Sequence, residues 1–242
     1  MSKYSRDKTI KALNDALFKT PDALFKTSDT LYKTKCVNWS GKCKEGEYYS
    51  EIISEKLLED IGNFNIDKIE RESYFQNHSG EIKAFTNRGE EILAKSLLNK
   101  KIEGIGEIFD YQIPLKKSQK DTGVGKIDLV SIDGDKLRLI EIKAEDAKDT
   151  LLRCVLEAYT YSKQLDSDRF KSEYTEKKEM AFGNEEPIPT VLIPETCKAA
   201  KEFRDNEHPK VIELAKKLKV NIKIFEIKKY ELSTDIKILV NP

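Results

Sequence analysis

The sequence predicts an α/β fold: a mixed sheet that begins as an antiparallel meander, flanked by helices and preceded by a helical N-terminal extension. Two β-rich runs, 126–132 and 137–143, bracket Asp133-Gly134-Asp135, a strong hairpin signal. Stretches with apolar residues at helical spacing stand before and after that hairpin. Further short strand and helix patterns then alternate toward the C-terminus.

Taken in order, residues 49–61 are apolar at 52, 53, 57, 58 and 61, with Gly62 just past the end. That is an amphipathic helix with a glycine stop. Residues 62–86 are polar and irregular. Residues 87–99 read as a helix, 108–115 as a strand, and 116–125 as a basic, glycine-containing loop. The hairpin strands follow. Residues 150–165 form a helix capped by Asp149 or Thr150. Residues 166–187 read as a charged connector, 190–193 as a short buried strand, 209–218 as a helix and 220–227 as a strand. The chain thus divides into a basic arm with helical extension (1–86) and an α/β core domain (87–242).

At 242 residues, 38% hydrophobic and 36% charged, the composition is polar but foldable. No run of about 18 apolar residues exists, and the first seven residues lack the apolar core of a signal peptide. No membrane contact is expected. Cys36, Cys43, Cys154 and Cys197 share no CxxC spacing and read as free thiols in a reducing cytoplasm. With only His78 and His208 there is no HExxH metalloprotease motif. Gly123-Val124-Gly125-Lys126 fails the phosphate-loop pattern, because Lys120 and Ile127 stand at its diagnostic positions.

Lys plus Arg equals Asp plus Glu, 43 each, but the balance is uneven. Residues 1–44 hold ten basic side chains and four acidic ones, a surplus of +6 that the rest of the chain cancels. Such an arm can hold polyanions locally while the molecule stays neutral, or its lysines simply solubilise exposed turns. The arm also repeats: Asp15-Ala16-Leu17-Phe18-Lys19-Thr20-Pro21, then residues 22–28, then 29–35. Each copy sets a Leu beside an aromatic residue, and Pro21 interrupts any long helix. Short helical turns laid against the body are expected.

The hairpin carries the chemistry. A turn at Gly134-Asp135 sets Asp128 opposite Glu141. A turn at Asp133-Gly134 sets Asp128 opposite Leu139, one step along the same face. Either register places Asp128, Glu141 and Lys143 on one side of the sheet. Only a three-residue loop would break this parity. Paired carboxylates repel unless a proton or cation lies between them. Oxygen ligands suit Mg²⁺ or Mn²⁺, which lower the pKa of a bound water and polarise a phosphodiester. On a plain exposed strand the same residues would form ion pairs contributing about 0–1 kcal/mol.

Gly125-Lys126-Ile127-Asp128-Leu129-Val130 followed by Leu139-Ile140-Glu141-Ile142-Lys143 resembles the core of the PD-(D/E)XK, or restriction-endonuclease-like, nuclease superfamily. The usual proline before the Asp is absent; Ile127 stands there. The resemblance implies a restriction-endonuclease-like core and a Mg²⁺- or Mn²⁺-dependent endonuclease or exonuclease acting on DNA, with RNA also open. Asp128, Glu141 and the carbonyl of Ile142 would hold the metal, and Lys143 would assist the attacking water. The family often adds a Glu from the preceding helix. Glu90 lies on the stripe of Leu93, Ala94 and Leu97, which faces the sheet. Glu91 is the alternative, and Asn87 with Glu90 also fits a capping box.

Arg153, Glu157 and Tyr161 of the following helix are auxiliary candidates, although a solvated stripe with an i,i+4 ion pair would look the same. Lys116, Lys117, Lys120 and Lys126 could grip flanking phosphates, although exposed hairpin loops are often lysine-rich in any case. A homodimer is one expected arrangement, because cutting both strands usually takes two sites. The alternative is the same fold without turnover, docking nucleic acid or a protein partner.

Overall fold

The structure, a computed structural model, describes residues 3–17, 30–63, 65–76, 78, 89–117, 125–230 and 233–240. Seven strands form one mixed sheet: β1 (Lys101–Ile102), β2 (Gly106–Pro114), β3 (Lys126–Asp133), β4 (Lys136–Ile142), β5 (Ile188–Pro194), β6 (Asn221–Tyr230) and β7 (Ser233–Val240). Their order in the sheet follows the chain. Strands β1 to β4 pair antiparallel, β5 joins β4 in parallel, β6 joins β5 in parallel, and β7 returns antiparallel. β1 approaches β7, so the sheet curls toward a barrel.

The helices are α1 (Arg6–Leu17), α2 (Thr30–Lys33), α3 (Tyr49–Glu59), α4 (Gly89–Leu97), α5 (Leu151–Gln164), α6 (Ser167–Lys178), α7 (Lys198–Arg204) and α8 (Pro209–Lys217). Parallel neighbours need a crossover. α5 and α6 supply it between β4 and β5, and α7 and α8 between β5 and β6.

The pleat sends Leu137 and Leu139 to one side of β4, and Ile140 and Ile142 to the other. The first side packs against Leu152, Val155 and Leu156 of α5. It belongs to an apolar cluster that also takes in Leu13 and Leu17 of α1 and Ile52 and Ile53 of α3. Residues on both sides of position 86 therefore share one core. The second side is covered by Leu93, Ala94 and Leu97 of α4. Thr150 Oγ1 caps α5 by accepting from the Arg153 N–H at 3.2 Å.

Several elements depart from the sequence expectation. The charged connector 166–187 contains α6. Asp166 accepts from the Arg169 N–H at 3.3 Å, and Phe170 and Tyr174, one turn apart, are fully buried against Phe109. A single apolar pair among lysines and glutamates leaves little periodicity to read. β1, α7 and β7 were not expected at all. The helix expected over 87–99 spans Gly89–Leu97, and Asn99 beyond it is left-handed at φ 62°. Asn87 lies outside the described residues, and with it the capping box.

Most of the repeated arm also lies outside them. Its first copy begins inside α1, a twelve-residue helix longer than the short turns expected. Thr9, Leu13 and Leu17 supply the buried stripe that sustains it. The third copy forms the single turn α2, with Leu31 and Tyr32 buried beside α5. All four cysteines are free, as expected, and all are buried; burial pushes the Cys36 thiol up to about 12. No helix among the described residues is long and apolar enough to cross a membrane.

Candidate active site

Asp133 pairs with Lys136 across Gly134-Asp135, so the first of the two candidate registers is the one adopted. Gly134 has φ +67° and opens the two-residue turn, a conformation glycine takes without strain. The register continues to Leu129 opposite Ile140, beyond which the Asp128 side chain accepts from the Ile142 N–H.

Asp128, Glu141 and Lys143 then line one cavity of about 620 Å³. Glu90 and Glu91 enter it from α4, Gln112 from β2 and Lys126 from the start of β3. Arg153, Glu157 and Tyr161 enter from α5, and Asp149 from the turn before it. Glu91 is engaged by Lys95 at 2.8 Å. Glu90 instead acts on Asp128 through its charge. Lys126 reaches the cavity, whereas Lys116 and Lys117 do not line it; the carbonyl of Lys116 accepts a hydrogen bond from Arg71. Lys120 lies outside the described residues. Of the three α5 candidates Glu157 and Tyr161 are buried, while Arg153 is partly exposed and pairs with Asp149 one turn earlier.

The polar groups form one connected network. Asp128 accepts from Gln112 Nε2 at 2.9 Å and from the Ile142 N–H at 3.1 Å. Lys143 Nζ donates to Glu141 Oε1 at 2.5 Å and to Glu157 Oε2 at 2.9 Å. Tyr161 donates to Glu157 Oε1 at 3.2 Å, and its hydroxyl meets that of Tyr32 at 2.9 Å. Gly125 makes this possible: a Cβ there would lie 1.9 Å from the Tyr161 hydroxyl.

The electrostatics follow from burial. Seven carboxylates line the cavity (90, 91, 128, 141, 146, 149 and 157) against three cations (Lys126, Lys143 and Arg153). Burial pushes Asp128 up to about 7; Glu90 and Glu157 add to this and Lys143 opposes it. Burial, then Asp128 and Glu157, also raise Glu141 well above the usual carboxylate range. Burial pulls the Lys143 ammonium down, but Glu141 and Glu157 outweigh it and hold it well above the ordinary lysine value.

Among the described residues, no three carboxylate, imidazole or thiol side chains stand grouped at metal-binding spacing. The Lys143 ammonium stands between Glu141 and Glu157. Glu141 Oε2, however, is buried without a hydrogen-bond partner among the described residues. Once ionised, that oxygen only accepts, and in an acidic cavity it is chemically suited to a cation.

Gln112 is the residue the sequence reading misses. It sits in β2 at φ 52°, directly across from Asp128, just beyond a register shift at Ile108/Asp110. A lone Gln in a strand carries no periodic or spacing signal. Asp149 is the other. It accepts from Asn38 Nδ2 at 3.1 Å and pairs with Arg153 at 3.3 Å. No family model, no curated protein and no solved structure matches this chain.

Proposed function

We propose that the protein is a metal-dependent nuclease of the PD-(D/E)XK type, hydrolysing phosphodiester bonds of DNA. The observation that carries this reading is the meeting of Asp128, Glu141 and Lys143 in one acidic cavity, with a buried Glu141 oxygen left unpartnered. Further support comes from the element sequence around it: a helix, antiparallel strands, two helices, and a strand parallel to β4.

Asp128, Glu141 and Glu90 would hold Mg²⁺ or Mn²⁺, with the Ile142 carbonyl as a further oxygen. The ion supplies Lewis acidity and a more acidic water. Lys143, held protonated between Glu141 and Glu157, orients the attacking water and offsets charge building on the phosphate. Glu157 positions Lys143, and Tyr161 positions Glu157. Gln112 and the Ile142 N–H fix the orientation of the Asp128 carboxylate. Lys126, with Lys116, Lys117 and Lys120, would contact flanking phosphates. The test is cleavage of single- and double-stranded DNA with Mg²⁺ or Mn²⁺ by the wild type, Asp128→Ala and Lys143→Ala. Equal activity in all three proteins would sink the proposal.

One observation favours the silent-module alternative. Lys143 is already bracketed by two carboxylates, and both Asp128 oxygens already accept hydrogen bonds. Such a network holds together without a metal. Calorimetric titration separates the two readings: DNA affinity with no Mg²⁺ or Mn²⁺ binding favours the module.

A further inference from the structure

A second cavity, of about 380 Å³, is lined by Lys3, Tyr4, Asn38, Trp39, Lys42 and Tyr49. Tyr4 stacks on Trp39, with ring centroids 4.6 Å apart and planes 5° from parallel. Trp39 meets Tyr49 edge-on at 5.5 Å. Tyr4 nevertheless remains 46% exposed, more than any other large hydrophobic side chain described. Its position is not loose. The Tyr4 N–H donates to the Tyr49 hydroxyl at 2.9 Å, and its carbonyl accepts from the Lys44 N–H at 3.0 Å. A rigid aromatic stack with one open side is a preorganised surface for another flat ring.

Charge and position narrow what that ring is. Lys3 and Lys42 line the same cavity, Lys42 with its ammonium 4.4 Å from the centre of the Tyr48 ring, and Arg6 nearby is taken by Glu47 and Glu55. One hydrogen bond links the two cavities: Asn38, which lines the aromatic one, donates to Asp149, which lines the carboxylate one, at 3.1 Å. We infer that the aromatic cavity binds an unpaired nucleotide of single-stranded DNA, its base stacked on Tyr4 and its phosphates near Lys3 and Lys42. Placing that nucleotide beside a bond to be cut rests on the nuclease reading above; the stacking itself does not. Paired bases already stack on each other, so a lone open ring favours single strands over duplex.

Trp39 is the only tryptophan in the chain, so its fluorescence reports on this cavity alone. The experiment titrates the full-length protein in EDTA with a thymidine decamer, with the same decamer paired to its complement, and with a glutamate decamer. The thymidine decamer is expected to quench Trp39, and the duplex to need at least about tenfold more for the same effect. Tyr4→Ala should weaken decamer binding about tenfold, while Tyr4→Phe retains it. Circular dichroism checks that both variants fold. Absent quenching, equal quenching by the glutamate peptide, or unchanged affinity in Tyr4→Ala would each overturn the inference. Metal-dependent cleavage by the wild type without Trp39 quenching would sink the inference alone. Quenching with no cleavage would sink only the nuclease reading.

Discussion

Lys143 Nζ lies 2.5 Å from Glu141 Oε1 across two positions of the same strand end, and both side chains are about 95% buried. A second carboxylate, Glu157, takes another of the ammonium protons. A buried cation shared by two anions is hard to remove, because its loss leaves both anions uncompensated. Lys143→Met should therefore destabilise the protein by about 3–5 kcal/mol in denaturant unfolding at pH 8. The loss should shrink at pH 5, where the carboxylates take up protons. Adding Glu141→Gln and Glu157→Gln should recover much of it. A Lys143→Met protein as stable as the wild type at pH 8 would show that the network contributes nothing.

Asp128 links stability to pH. Its folded value, about 7, stands above the ordinary 3.8, so the folded state holds this proton more tightly than the unfolded one. Stability is then fully present below about pH 4 and is progressively lost as pH rises to about 7. In EDTA the melting temperature should fall by several degrees between pH 5 and pH 8, and Asp128→Asn should flatten that slope. Mg²⁺ or Mn²⁺ should restore the melting temperature at pH 8, because a ligand that binds only the folded state stabilises it. Cleavage should rise through the same pH range. An identical slope in Asp128→Asn would remove this carboxylate from the account.

Gly125 precedes the Asp128 strand, and its importance lies in the Tyr161 hydroxyl that occupies the space of a side chain there. Gly125→Ala forces the buried Tyr161 ring to move and breaks its bond to Glu157. The expected cost is about 1–3 kcal/mol in chemical denaturation. At Gly134 an added Cβ meets nothing, and only the positive φ is strained. Gly134→Ala should therefore cost less, about 1 kcal/mol. The reverse order would show that Tyr161 relaxes freely.

Gln112 orients Asp128 without reaching Lys143. Gln112→Ala should weaken Mg²⁺ or Mn²⁺ binding about 10- to 100-fold by calorimetry, as expected for an outer partner of a metal ligand. Unchanged metal affinity would reduce Gln112 to a sheet contact.

The elements legible in the sequence are those whose signal is local. The hairpin follows from alternation on both sides of a glycine turn. α4, α5 and α8 follow from apolar spacing, and parity alone placed Asp128, Glu141 and Lys143 on one face. α6 was hidden because Phe170 and Tyr174 are its only large apolar residues, and they gain meaning only against Phe109. β7 was hidden because its place depends on pairing with β6.

By itself the sequence determined which side of the hairpin would carry the two carboxylates and the lysine, because a strand's side-chain period of two holds whatever surrounds it. Tertiary structure alone decided what those groups meet. The turn conformation chose between the two registers. Gln112 reached Asp128 across a neighbouring strand, and α5 closed over Lys143 with Glu157 and Tyr161. Tyr4 found Trp39, and Asn38 found Asp149, over long separations in the chain. Such contacts depend on how elements pack in three dimensions. Local periodicity sets the face a residue occupies, and packing sets its neighbour and, through burial, its charge.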